Sequence, residues 1–201
     1  VESTGADQRH EEICYSPLAN STFLVLICFR LVLFCAIGRE AMADLLVNLY
    51  SQRFEALSSA CIAEAVTVRR ALPPESHFII EWVEKDFSRY WASEVQVAMA
   101  QKPPGCFIAT EAGRLIGFAC YNATARGFFG PTGVDETSRG KGVGKALLYR
   151  ALLALKDDGY AYAIIGAAGP TEFYQKAVGA IIIPSDGEDI YCGLLRDKHL
   201  S

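Results

Sequence analysis

The stretch FFGPTGVDETSRGKGVGKALL, Phe128 to Leu148, decides how this chain is read. It opens on an apolar, aromatic run of strand character, Phe128 to Val134. It closes on a helical stripe in which Val143, Leu147, Leu148, Ala151, Leu152 and Leu155 recur on one face. Between strand and helix stands Arg139-Gly140-Lys141-Gly142-Val143-Gly144-Lys145. Three alternate glycines remove Cβ atoms, so a ligand can approach the main chain and its N–H groups can point inward. A helix N-terminus adds about half a positive charge, which suits a phosphate or pyrophosphate. Cations at a helix start are disfavoured by roughly 0.3–1 kcal/mol, yet Arg139, Lys141 and Lys145 gather at this one. A bound polyanion reverses that penalty, which a plain surface turn does not.

Two familiar phosphate patterns fail here. GxxxxGK[ST] would need a glycine at Arg139 and a hydroxyl at Ala146. GxGxxG would need a third glycine where Lys145 stands. What does match is Arg-x-x-Gly-x-Gly, as Arg139, Gly142 and Gly144.

Working outward, Leu45 to Tyr50 is a short apolar segment, and Phe54 to Glu64 has a helix-like pattern. Val66 to Arg70 alternates like a strand. Pro73-Pro74-Glu75 opens a helix with Phe78, Ile79, Trp82 and Val83 at helical spacing, and a second helix runs from Trp91 to Ala100. Cys106 to Thr110 and Arg114 to Tyr121 form a hairpin about Glu111-Ala112-Gly113. Beyond the glycine turn and its helix, Gly159 supplies a left-handed cap. Tyr160 to Ile165 reads as a buried strand, Pro170 to Val178 as a short helix, and Ala180 to Ile183 and Ile190 to Leu194 as closing strands. A hairpin followed by strand–turn–helix–strand predicts an α+β or α/β sandwich, a mixed sheet flanked by helices.

The 201 residues suffice for one domain that buries its own core. With 51% hydrophobic and 21% charged residues, the composition is globular. A formal charge of −4 gives no general attraction to nucleic acid or anionic membrane, so neither is expected as a partner. The seven cysteines contain no CxxC pair and the three histidines are scattered, so no metal is expected. Such cysteines fit reduced, buried thiols in a cytoplasmic protein. Thr22 to Ile37 is a strongly apolar run interrupted by Arg30. It is short of the ~20 residues that cross a bilayer, and the acidic stretch before it lacks the positive start of a secretory signal. Met42 is therefore expected to open the domain, residues 42–201, with residues 1–41 an extension outside the fold. A membrane-attached segment is the rival account.

The glycine turn resembles the acetyl-CoA signature of the GNAT superfamily of N-acetyltransferases. A second stretch, Glu172-Phe173-Tyr174-Gln175-Lys176-Ala177-Val178-Gly179-Ala180, is similar to that family's FYxKxGF element, one residue longer. The resemblance covers Val66 to the C-terminus, with both motifs in order and about 30 residues apart. Met42 to Tyr50 is similar to the start of some uncharacterised bacterial members. The resemblance implies a mostly antiparallel twisted sheet and transfer of an acetyl group from acetyl-CoA to a primary amine of a small molecule. It implies that backbone groups of Gly133, Val134 and Asp135 pair with the pantetheine arm and polarise the thioester. It further implies that amides from Arg139 through Lys145 hold the pyrophosphate, and that Tyr174 protonates the departing thiolate. The Phe128–Val134 strand lacks the glutamate some members carry there, so Glu94 is the expected base, with Asp135 and Glu136 behind it. Ala167 stands where the family often has an asparagine. A non-catalytic acyl-CoA-binding domain is the alternative, and a membrane-tethered adaptor a third. Oligomeric state is open between monomer and homodimer.

Overall fold

Alternating apolar residues build the strands, and the computed structural model describes residues 43–59, 62–186 and 190–195. The expected extension, its apolar run Thr22 to Ile37, and Cys14, Cys28, Cys35 and Cys61 lie outside the described residues. The strands are β1 (Ala43–Asn48), β2 (Val66–Arg70), β3 (Cys106–Glu111), β4 (Arg114–Tyr121), β5 (Phe128–Val134), β6 (Tyr162–Ala168) and β7 (Ile181–Ile182). The helices are α1 (Gln52–Leu57), α2 (Ser76–Asp86), α3 (Arg89–Ala100), α4 (Val143–Asp157) and α5 (Thr171–Val178). The strands form one sheet in the order β2-β3-β4-β5-β6-β1-β7. Every neighbouring pair is antiparallel except β5 and β6, which run parallel. This is the mixed, mostly antiparallel α+β sheet that the sequence predicts.

Each sheet face has its own core. On one, the predicted α4 stripe is fully realised: Val143, Leu147, Leu148, Ala151, Leu152 and Leu155 are all buried. They pack in one cluster with Leu45, Val47, Ile116, Phe129 and Ile165 of the strands, with Leu49 just past β1, and with Tyr174 of α5. On the other face, α2 and α3 bury Ile79, Val83, Val95 and Ala98 with Cys106, Ile108, Phe118 and Cys120. Each such aliphatic side chain contributes about 1.5–3 kcal/mol relative to exposure.

Local chemistry sets the ends of these elements. Ser51 and Ser88 cap α1 and α3, each hydroxyl accepting a 3.1 Å bond from the amide three residues on. Gly159, at φ 94°, follows the last turn of α4 as the predicted left-handed cap, and the Tyr160 amide closes back on the Leu155 carbonyl at 3.1 Å. Three expectations are corrected. The first helix ends at Leu57 and does not reach Glu64. Ile190 to Leu194 is a turn, not a strand: Gly193 adopts φ 80°, and the Leu194 amide bonds to the Tyr191 carbonyl at 3.0 Å. Cys106 and Cys120 are buried free thiols as expected, but Cys192, in that turn, is exposed. Among the described residues no helix is long and apolar enough to cross a membrane, and no cluster of His, Cys, Asp or Glu could hold a metal ion.

Candidate active site

The site begins where two parallel strands part. β5 pairs with β6 only at Phe128↔Ile164 and Phe129↔Ile165, while its pairing with β4 continues to Gly117↔Val134. From Gly130 onward the β6 side of β5 has no strand partner among the described residues. Both strands carry an extra residue at this fork. Ala119 to Tyr121 of β4 spans Thr132 to Phe129 of β5, which places a bulge at Gly130 and Pro131. Ala43 to Leu45 of β1 spans Ala168 to Ile165 of β6, which places another at Gly166 and Ala167. Bulges bend a strand and increase its twist, and a proline has no N–H to offer a neighbour. Gly130 has φ 120° and Ala167 has φ 45°. The Ala167 amide donates to the Asp44 carboxylate at 2.8 Å, which fixes the second bulge.

The open edge of β5 presents main-chain groups. The Asp135 amide is bonded to the Ile116 carbonyl at 2.9 Å, so Gly133, two residues earlier in the ladder, also faces β4. Alternation then turns the N–H and C=O of Thr132 and Val134 into the fork. Of the expected trio Gly133, Val134 and Asp135, Val134 is the residue whose backbone faces the fork. Beyond it lies the start of α4. Gly142, at φ 81°, caps that helix with no side chain, so the first-turn amides of Val143, Gly144 and Lys145 have neither a capping group nor a preceding helical carbonyl. A Cβ placed on Gly144 would lie 3.8 Å from Phe173 and 3.9 Å from Val134. Strand end, helix start and α5 therefore converge on a place that glycine leaves uncovered.

The cations of the turn do not all converge there. The Lys141 ammonium lies 2.9 Å and 3.0 Å from the Glu111 carboxylate oxygens on β3, and its carbonyl accepts from the Ala63 amide. Arg139 leans toward Glu136 at 3.8 Å, and its amide is taken by the Glu136 carbonyl. Gly140, at φ 83°, has open space where a side chain would begin. Lys145 is exposed and makes no ion pair among the described residues. The expectation of three cations gathered at the helix start is thus corrected for Lys141, whose charge is held by β3.

Two titratable side chains stand on opposite faces of the sheet. Tyr174, on α5, belongs to the α4-side core and sets its ring edge-on to Phe129, 6.2 Å between centroids. It is 6% exposed, and burial pushes its phenol up to about 12. Glu94, on α3, stands on the other face. It accepts a short hydrogen bond from the Thr124 hydroxyl, and burial raises its carboxyl above the usual range while that bond opposes the rise. Its charge also acts on the buried Cys120 thiol, which burial first and then neighbouring Cys106 push upward. Cys120 lies between Ala119 and Tyr121, directly across from the β5 bulge. Asp135 instead hydrogen-bonds Thr137, and Glu136 faces Arg139, so the two reserve carboxylates are engaged at the turn. Sequence reasoning missed Asp44 and Thr124. An aspartate inside the apolar strand ADLLVN was the one local signal for the first.

Hollows of about 290 and 190 Å³ flank α4 on its β2 side. Neither is lined by Val134, Gly144 or Tyr174, so the fork is the better candidate on chemistry.

The family model described as the acetyltransferase (GNAT) family matches residues 73–180. No curated protein matches the chain. Among solved structures, a GCN5-related N-acetyltransferase from Sphaerobacter thermophilus is similar at 23% identity and TM-score 0.55, over 70% of this chain and 48% of that one. The glucosamine N-acetyltransferase region of a fungal multi-domain GH3 beta-N-acetylglucosaminidase is similar at 18% identity and TM-score 0.53, over 70% of this chain and 19% of that one. The chain thus spans less than half the length of either, and at these identities the likeness is one of fold.

Proposed function

The chain belongs to the GNAT acetyltransferase family, and on that premise we propose that it is an acetyl-CoA-dependent N-acetyltransferase acting on a primary amine of a small molecule. The observation that supports this reading is the unpaired edge of β5 at Thr132 and Val134 meeting the uncapped start of α4 at Gly144, with Tyr174 packed edge-on to Phe129 where the strands part. Pantetheine, an extended chain bearing amides, suits the unpaired edge at Thr132 and Val134. The pyrophosphate suits the uncapped amides of Val143, Gly144 and Lys145, whose helix dipole favours anions.

In the reaction the amine nitrogen attacks the thioester carbonyl carbon from the Glu94 face. The carbonyl oxygen gains charge, and the Val134 N–H stabilises it, an effect typically worth about 3 kcal/mol. Glu94 takes the proton released by the nitrogen, and its raised pKa makes it a better base than an ordinary carboxylate. As the carbon–sulfur bond breaks, sulfur leaves toward Tyr174. A thiol ionises near ~8.5, so full transfer from a phenol at about 12 is uphill by roughly 5 kcal/mol. Tyr174 therefore shares its proton with the sulfur as a hydrogen-bond donor, and solvent completes the thiol.

A second reading, an acyl-CoA-binding domain without turnover, draws support from Ala167 and from a β5 that carries no carboxylate. Release of free thiol from acetyl-CoA across an amine panel separates the two. Binding by calorimetry with no release from any amine favours the second, and absence of binding removes both.

A further inference from the structure

The face of the sheet on which Glu94 stands carries a cluster of aromatic rings. Phe87, at the junction of α2 and α3, stacks on Trp91 with centroids 5.5 Å apart and planes 21° apart. Trp82 meets Phe87 edge-on at 5.3 Å, and all three rest on Phe118 of β4 at 5.5–6.2 Å. This cluster presses directly on the reacting strand: a Cβ on Gly133 would lie 2.4 Å from the Phe87 ring. Glycine at 133 lets the ring lie against β5 one residue before Val134. Phe118 is fully buried, whereas Trp82, Phe87 and Trp91 remain partly exposed, so these three offer ring surface to a ligand.

The same helix supplies the charge. Trp91 and Glu94 are three residues apart on α3 and share a face. Glu94 is half-buried, its one hydrogen bond comes from neutral Thr124, and no cation pairs with it among the described residues. A carboxylate in that position is poorly compensated until a cation arrives. It is the single carboxylate of α3, which suits one ammonium better than a polycation. Flat apolar surface beside one unpaired carboxylate is complementary to a cation carried on a flat apolar body.

We propose that the acceptor is a monoamine on an aromatic body, with its ammonium on Glu94 and its ring against Phe87 and Trp91. This rests on the acetyl-transfer reading above and names the substrate class for it.

The test uses the full chain with acetyl-CoA and three probes: 2-phenylethylamine, n-butylamine and spermidine. Thiol release should show kcat/KM at least 10-fold higher for 2-phenylethylamine than for either rival. Trp91→Leu and Phe87→Leu should each shrink that preference to about 3-fold or less, while acetyl-CoA affinity stays within 2-fold. Preference for spermidine or butylamine, or an unchanged ratio in both variants, overturns the proposal. If acetyl-CoA binds but no amine releases thiol, the acetyl-transfer reading fails, and the amine site is then judged by binding alone. In that case NMR titration of the wild-type chain with 2-phenylethylamine should perturb the Trp91 indole and lose saturation in Glu94→Gln. No perturbation there rejects the site.

Discussion

The Asp44 carboxylate and the Ala167 amide are joined by a 2.8 Å hydrogen bond across the first and sixth strands, and that bond holds Ala167 at φ 45° on the lip of the fork. Alanine has no intrinsic preference for this left-handed region, so the surroundings must impose it. Asp44 also bonds through its carbonyl to the Ile183 amide at 2.8 Å, tying the lip to the end of β7. Asp44→Ala leaves a partly buried amide unpaired and should lower stability by about 1–3 kcal/mol. It should also let β6 relax toward β5 and weaken acetyl-CoA at least 5-fold. Asp44→Asn retains an acceptor oxygen and should restore both. Thermal unfolding and calorimetry on the pair check this, and equal behaviour of the two variants would remove Asp44 from the account.

Gly144 offers a cleaner test of the cofactor site than its neighbours. It lies within the first turn of α4 with ordinary helical geometry, and a Cβ there meets Phe173 and Val134 at normal contact distance. Gly144→Leu should therefore leave the fold intact, with up to about 1 kcal/mol gained in helix propensity. The leucine would fill the space between strand end and helix start, so acetyl-CoA affinity should fall more than 10-fold. Undiminished affinity in a folded Gly144→Leu protein would place the cofactor elsewhere. Gly142 is less informative, because at φ 81° any side chain strains the backbone before it meets a ligand.

What the sequence made legible was local. The α4 stripe, the Gly159 cap and the hairpin at Ala112 and Gly113, with φ 49° and 76°, each follow from residues within a few positions of one another. The glycine turn between strand and helix was legible for the same reason, and the structure adds that Gly140 and Gly142 adopt positive φ. The fork was not, because it depends on where β6 stops pairing with a strand far earlier in the chain. Asp44 reaches Ala167 across 123 residues and Lys141 reaches Glu111 across 30, and no periodicity encodes either bond. Ile190 to Leu194 misled because apolar content alone does not distinguish a strand from a turn when Gly193 can adopt φ 80°.

If Glu94 is the base, activity should carry its pH signature. The carboxyl must be ionised to accept a proton, and burial raises its pKa, with Thr124 opposing. The acid limb of kcat/KM should therefore fall at a pH above the ordinary glutamate range, with activity rising as pH rises through it. Stability should change in the opposite sense. A group with a raised folded-state pKa contributes fully below its unfolded value, and that contribution is lost as pH rises through the folded value. The buried Cys120 thiol, which also feels this carboxylate, stays neutral across this window, since burial moves it upward. Glu94→Gln should lower kcat by 10²–10⁴-fold, in the range typical of a lost general base, and flatten the acid limb. An unaltered acid limb in that variant would assign the base elsewhere.

Tyr174 can be separated into donor and anchor by its own titration. Its folded-state pKa of about 12 against an ordinary 10 comes from burial, so the folded protein keeps the phenol neutral. That contribution is complete below pH 10 and is lost as pH rises from 10 to 12. Two units correspond to about 3 kcal/mol at most. Tyr174→Phe cannot ionise, so its stability should fall less steeply than wild type over the same window, which denaturant melts at pH 8, 10 and 11.5 would read. As hydrogen-bond donor to the leaving sulfur, the hydroxyl should be worth about 10–100-fold in kcat, with acetyl-CoA affinity within 2-fold of wild type. Because the phenol stays protonated well past neutrality, the wild-type rate should show no loss from Tyr174 below about pH 11. Equal turnover in Tyr174→Phe, alongside the expected difference in the melts, would leave Tyr174 as an anchor for α5 against Phe129 and Phe173 and no more.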